Sequence, residues 1–327
     1  MNRNICVRCI LSLVVALSAS APMLAWSQSY PTKPIRIILP VPPGGAIDQI
    51  VQQIGPKLTQ AWGQQVLMDH RAGAAQMIGT QLAARAAPDG YTLFMCNSGP
   101  FSGNVALYPS VPYDPVKDFA AITVAVTYPN VLVVHPSVPV NTLQELIALA
   151  KARPGQLNFA SASSGSSSHI SGELFNLMAG VKMTHVPYKG NSLAVTDLVG
   201  GQVQVMFSNI GPVLPFIKSG RLKVLGVTSA QRFSPAPEIP TIAESGLPGF
   251  EIIAWVGFCA PAATPRDIIT KLNTEIVRAL RSPDVQKALR DAGAETAPMT
   301  TEQMDAFIKT DMAKWARVVK DANIKLD

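Results

Sequence analysis

The chain has 327 residues, with 27 Lys and Arg against 21 Asp and Glu, a formal net charge of +6. The basic residues form no cluster, which gives no electrostatic footprint for nucleic acid and mildly favours a small anionic partner. Beyond the N-terminus no apolar run approaches the ~20 residues needed to cross a bilayer, and about 300 residues are enough for two hydrophobic cores.

Residues 1–27 differ from the rest: Arg3 and Arg8 precede an apolar run from Ile10 to Ala19, and Ala25-Trp26-Ser27 follows. A charged start, a short apolar stretch and a small-residue exit predict a secretory signal peptide, cleaved a few residues before Tyr30-Pro31. The expected product is a soluble protein of the periplasm with 25 basic and 21 acidic residues, a net of +4. No lipobox precedes Cys6 or Cys9, so no lipid anchor is expected. Both cysteines leave with the signal, and Cys96 and Cys259 remain, each at the end of an apolar run. One disulfide and two separately buried thiols both fit that placement.

Short apolar runs then alternate with amphipathic ones: "IRIIL" (35–39), "YTLFMC" (91–96), "NVLVV" (130–134), "LNFA" (157–160), "VQVMF" (203–207), "LKVLGV" (222–227) and "IIAWVGF" (252–258). The alternation predicts an α/β fold with largely parallel sheets. Helix signals lie between the runs. Thr142 and Glu145 form a capping box, and Pro154-Gly155 ends that helix. Thr264 caps a helix with Pro265 at its first position, Ser282 and Pro283 repeat the device, and Gly293 stops it. A last helix opens at Thr300, with Gln303 three residues on, and turns Phe307, Trp315 and Val319 inward.

Two extended apolar segments, "TVAVTYPNVLVVHP" (123–136) and "FEIIAWVGFCAP" (250–261), read as crossings between lobes. They predict a discontinuous first lobe, 28–127 plus 254–327, and a continuous second lobe, 128–253, with a ligand cleft between them.

Three stretches suit such a cleft. In "ILPVPPGGAIDQIVQQIG", Pro42, Pro43, Gly44 and Gly45 end a strand, and Asp48 can cap a helix starting near Gln49. Bare glycines expose backbone N–H groups at a helix start, which attracts an anion; the same residues also make an ordinary tight turn. In "SASSGSSSHISGELFNLMAG" (161–180) a serine-rich loop runs into a helix, offering hydroxyls and free N–H donors, or a plain surface loop with its caps. In "THVPYKGNSLAVTDLVGGQVQVMFSN" (184–209) a strand leads to Tyr188 and Lys189, and a later strand ends at Ser208-Asn209. Tyr188 suits a pocket wall, while a lysine at a helix start is commonly solvated.

The segments "YPTKPIRIILPVPPGGAID", "YPSVPYDPVKDFAAIT", "ARPGQLNFASASSGSSSHISGELFNLMAGVKMTHVPYKG", "DLVGGQVQVMFSN", "IPTIAESGLPGFE" and "KWARVVKDANIKLD" together resemble the Bug family, periplasmic solute receptors of tripartite tricarboxylate transporters. The resemblance spans the mature chain. It implies a two-lobed type II periplasmic binding fold, each lobe a mixed or parallel sheet flanked by helices, that closes on a small carboxylate. On matching positions it implicates Pro43, Gly44, Gly45, Asp48, Ala75, Gln76 and Ser98 from lobe one. From lobe two it implicates Ser163, Ser164, Gly165, Ser168, His169, Tyr188, Lys189 and Asn209. The implied partners are a carboxylated ligand and membrane transporter subunits, with a monomeric receptor, no cofactor, no metal and no nucleic acid.

The chain departs from the family pattern in two places. The glycine-rich "PGAGGNIG" is "AGAAQMIG" (72–79) here, so Ala75, Gln76 and Met77 replace small or amide residues and should reshape the pocket. The arginine that follows the PGG-helix aspartate is Gln52. Met77 and Tyr188 tilt the expected ligand toward an aromatic or partly apolar acid.

Enzyme readings find little support. His70, His135, His169 and His185 are scattered, without HExxH, GxSxG, GxGxxG or GxxxxGK[ST] patterns. A secreted hydrolase using Ser168 or a nearby serine with His169 is the alternative from another class, and a ligand sensor for a membrane signalling partner is a third reading.

Overall fold

A computed structural model describes residues 30–324, and the signal-peptide reading of residues 1–27 lies outside the described residues. The first three strands, β1 (Ile35–Leu39), β2 (Val66–His70) and β3 (Thr92–Asn97), run parallel with β1 in the middle. They alternate with α1 (Ala46–Trp62) and α2 (Met77–Ala84). All of β1 except Arg36 is buried, as a central parallel strand covered on both faces requires. After β3 a π-helical turn over Gly99–Gly103 leads into the short helix α3 (Asn104–Leu107) and then the long strand β4 (Phe119–Val134).

A second βα series follows: α4 (Leu143–Ala152), β5 (Asn158–Ser161), α5 (Ser167–Ala179), β6 (Thr184–Pro187), α6 (Asn191–Val199), β7 (Val205–Asn209), α7 (Ile210–Lys218) and β8 (Lys223–Val227). The chain returns through β9 (Ile253–Pro261) and ends in α8 (Arg266–Leu280), α9 (Pro283–Asp291), β10 (Glu295–Thr296) and α10 (Thr301–Asp321). The strand order is β2-β1-β3-β9-β4-β7-β5-β6, with β8 and β10 also pairing with β4.

The sheet is therefore mixed rather than largely parallel. Strands β1 to β3 are parallel, as are β5 to β7, but the two sets are joined through antiparallel pairs, β3 with β9, β9 with β4 and β4 with β7. Residues Phe119–Pro129 of β4 ladder with β9, and Asn130–Val134 ladder with β7. Both crossing segments expected from sequence are strands, and β4 begins at Phe119, earlier than "NVLVV" predicts.

Most helix signals act as their residues dictate. The capping boxes of Thr142 with Glu145 and Thr300 with Gln303 both form. Thr264 does not cap α8: extended Pro265 is the N-cap, and the Thr264 hydroxyl is buried without a partner. Ser282 is the N-cap of α9, with Pro283 first in that helix. Its hydroxyl donates back to the Arg278 carbonyl of α8 instead of capping α9. Cys96 and Cys259 are buried free thiols, with Cys96 opposite Gly257 and Cys259 opposite Phe94 on paired strands. Burial and the neighbouring Cys96 thiol raise the Cys259 pKa well above its ordinary value. No helix among the described residues is long and apolar enough to cross a membrane.

One stripe of α10 serves two cores. Met304 and Ile308 pack with Phe94, Phe101, Phe119 and Trp255 under the first βα series. Trp315 and Val319, two and three turns on, pack with Phe159, Phe175 and Phe207 under the second. Asp311 lies between them, 9% exposed. Its Oδ2 accepts Ser102 Oγ–H at 2.5 Å and Trp255 Nε1–H at 2.7 Å, and its Oδ1 accepts Trp315 Nε1–H at 3.1 Å. Burial raises its pKa and these donors oppose the rise. Asp311→Asn is expected to cost about 2 kcal/mol although it removes a buried charge, because an amide NH2 would confront donors that have no other acceptor. Urea unfolding measures this, and a variant as stable as the parent would show that no charged acceptor is required here.

Candidate ligand-binding site

Because β1, β2 and β3 are parallel, the turns that leave their C-terminal ends share one edge of the sheet, and the turns after β5, β6 and β7 share another. Ligands of open α/β sheets bind at such edges. The two edges touch. A Cβ on Gly103 would collide with the Gly165 carbonyl, one on Gly165 would lie 2.5 Å from Asn104 Oδ1, and one on Gly190 would rest 3.8 Å from Pro42 Cγ. Pro43, Gly44, Gly45, Ala75, Gln76 and Ser98 stand on the first edge, and Ser163 to Ser168, Tyr188, Lys189 and Asn209 stand on the second.

The PGG turn is built around a positive φ. Gly44 has φ +88°, a conformation that glycine adopts without strain, and Gly45 is the N-cap of α1 with an extended backbone, φ −92° and ψ −179°. The helix starts at Ala46, so Asp48 lies in its first turn and is not the cap expected from sequence. Its carboxylate, 3% exposed, accepts Gly44 N–H at 2.6 Å and meets His70 Nε2 at 3.0 Å. Asp48 thus ties the turn to the end of β2. The remaining N–H groups of the first turn have no partner within their helix, and the helix dipole adds positive potential there. A Cβ on Gly44 or Gly45 would meet nothing within 4 Å, so the turn opens onto free space.

The turn after β2 is strained. Gly73, Ala74, Ala75 and Gln76 have φ of 127°, 45°, 50° and 72° in succession. Asn104 Nδ2 donates to the Ala75 carbonyl at 2.8 Å, and Asn97 Nδ2 donates to Gln76 Oε1 at 2.8 Å. Ser98 is buried at the start of the π turn, and Asn97 Oδ1 takes Gly99 N–H at 3.0 Å.

On the second edge the serine loop is held by its own side chains. Ser166 caps α5, accepting His169 N–H at 3.4 Å. Ser168 Oγ accepts Ala162 N–H at 2.9 Å and lies 2.8 Å from Ser166 Oγ. The Ser163 and Ser164 hydroxyls have no protein partner among the described residues. His169 Nδ1 accepts Gly165 N–H at 3.2 Å, and its ring stacks on His185 at 4.0 Å. Burial, then the His185 ring, lowers its pKa from 6.5 to about 3, so it is neutral with the hydrogen on Nε2. Tyr188 donates to Asp197 at 2.7 Å and packs its ring on the second lobe, while Lys189 is exposed. Asn209 is the N-cap of α7 and hydrogen-bonds Tyr128, whose pKa burial pushes up to about 12.

Residues 50–324 match the model of the tripartite tricarboxylate transporter family receptor, TctC. The chain belongs to this receptor family. BugT of Bordetella pertussis is 37% identical over 327 residues, all of both chains. The Rhodopseudomonas palustris protein Rpa4515, solved with adipate, is 35% identical with a TM-score of 0.87, covering 90% of this chain and 99% of that one. MatC of the same organism, solved with bound malate, is 31% identical with a TM-score of 0.83, covering 89% and 100%. The fold is accordingly the two-lobed α/β fold of type II periplasmic binding proteins.

A TctC receptor is a solute-binding protein and not an enzyme. Ser168 and His169 are each engaged with backbone and serine partners and not with one another. Sequence reasoning missed the amides of the site, Asn97, Asn104 and Asn130. Asn130 is fully buried opposite Asn209, with Nδ2 donating to Ser171 at 3.2 Å and Oδ1 unpartnered. Asn97 ends β3, Asn104 opens α3 and Asn130 lies inside β4, and an asparagine reads from sequence as a turn former, so only the fold reveals them.

Because folding favours neutral His169, its contribution is complete above pH 6.5 and is lost as pH falls toward 3, by at most about 1.4 kcal/mol per unit. His169→Gln retains an acceptor for Gly165 N–H and should flatten the fall in urea midpoint between pH 6.5 and 4. An unchanged slope would assign the acid sensitivity to other groups.

Proposed function

We propose that this TctC receptor works in the periplasm as a monomer, holding a small aliphatic carboxylate between two lobes and passing it to the membrane subunits of a tripartite tricarboxylate-type transporter. Lobe one comprises residues 28–127 and 254–327, and lobe two residues 128–253, with β4 and β9 as the hinge. The observation that carries this reading is the Gly44-Gly45 turn, which sets the N-terminus of α1 against free space, with Pro42 of the same turn facing Gly190, itself bonded to Ala162 of the serine loop.

Recognition rests on backbone N–H groups and the dipole of α1 from lobe one, and on the Ser163 and Ser164 hydroxyls from lobe two. Asp48, Ser168 and His169 hold those loops in shape without touching the ligand. The adipate and malate of the two solved relatives are consistent with a dicarboxylate. Met77 and Tyr188 are partly buried against the two cores, and the aliphatic acids of the two solved relatives favour an aliphatic over an aromatic ligand.

A thermal-shift series with succinate, malate, glutarate and adipate tests the reading. A ligand that binds only the folded state stabilises it by about 2.7 kcal/mol at one hundred times its Kd. At least one acid should give a saturable shift. Gly45→Trp, whose backbone angles suit any residue and whose Cβ meets open space, should fold normally and lose the shift. Undiminished binding by that variant would remove the PGG turn from the site.

A further inference from the structure

The left-handed run after β2 is costly. Three of its four residues carry a Cβ, and Asn323 is the only other non-glycine residue with positive φ among the described residues. Each such residue costs roughly 1–2 kcal/mol, and strain of this kind persists where the surroundings over-determine it and clusters where ligands are held. Here the surroundings do so. Asn104 holds the Ala75 carbonyl, Thr80 Oγ1 donates to the Gln76 carbonyl at 2.8 Å, and Asn97 holds the Gln76 side chain.

The bond from Asn97 also aims the Gln76 amide. With Oε1 taken, Nε2 is the end without a protein partner among the described residues, and it lies 3.1 Å from where a Cβ on Gly99 would stand. The amide thus covers the bare backbone of the turn after β3, on the edge that faces lobe two. Glycine would occupy φ 72° at no cost, so the strain secures a side chain at this point.

We propose that Gln76 is a specificity-determining residue: it fills the lobe-one end of the cleft, offers Nε2–H to a ligand oxygen, and restricts the receptor to short dicarboxylates. This inference rests on the carboxylate reading above. A longer diacid would need the volume that the Gln76 side chain takes up, so the selectivity expected of the parent is for the shorter chain.

The test is calorimetric titration of succinate, glutarate and adipate into the parent and Gln76→Gly, with Gln76→Asn as a shorter amide that tolerates the left-handed backbone. The parent should bind succinate at least tenfold more tightly than adipate. Gln76→Gly should bring that ratio to about one or reverse it, and Gln76→Asn should fall between. Because glycine relieves the strain, the melting temperature of Gln76→Gly should equal or exceed that of the parent. A ratio unchanged within twofold while binding persists, or a parent that prefers adipate, overturns the role of Gln76 alone. Absence of binding by every protein to every acid overturns the carboxylate reading and this inference with it.

Discussion

Everything else in the molecule hangs on β4 being shared. Its first eleven residues pair with β9 and its last five with β7, so one uninterrupted strand enters two sheets. Backbone hydrogen bonds fix the spacing of the two halves, and β9 runs antiparallel alongside as the return path. The turns of both parallel sets are thereby brought to face one another, near enough for Gly103 and Gly165 to exclude any side chain between them. Helix α10 reinforces the arrangement by placing Met304 in one core and Trp315 in another, with the Asp311 carboxylate binding Ser102, Trp255 and Trp315 at the midpoint.

The site proposed at this junction relies on main-chain groups. The basic side chains closest to it in sequence are spent or exposed: Arg71 pairs with Asp69 at 2.8 Å, and Lys189 points to solvent. The N–H groups and hydroxyls at this junction take their positions from bonds further back. Asp48 and His70 fasten one turn, and Ser166, Ser168 and His169 fasten another. Such an arrangement avoids the desolvation of a buried counter-charge.

Much of this was legible in the residues. Capping boxes at Thr142 and Thr300, the buried runs of β1, β3, β7 and β9, and the PGG junction all follow from local chemistry that the fold does not override. Strand β2 was not legible, because as an edge strand it leaves Leu67 and Met68 exposed and ends in Asp69 and His70, so no apolar pattern marks it. The helix cap was misplaced by three residues, from Gly45 to Asp48, since either residue satisfies a capping rule and only the backbone angles decide. Asn97, Asn104 and Asn130 were invisible for a deeper reason: their partners are 21, 29 and 41 residues distant in the chain.

The central claim is that a carboxylate closes two lobes about the β4–β9 hinge. Small-angle X-ray scattering of the mature protein, with and without a dicarboxylate at a concentration shown by calorimetry to saturate it, tests this most directly. A smaller radius of gyration in the bound state is the predicted result, since the turns after β1 and β5 draw together on the ligand. A scattering profile identical in both states, with binding confirmed, would contradict the account.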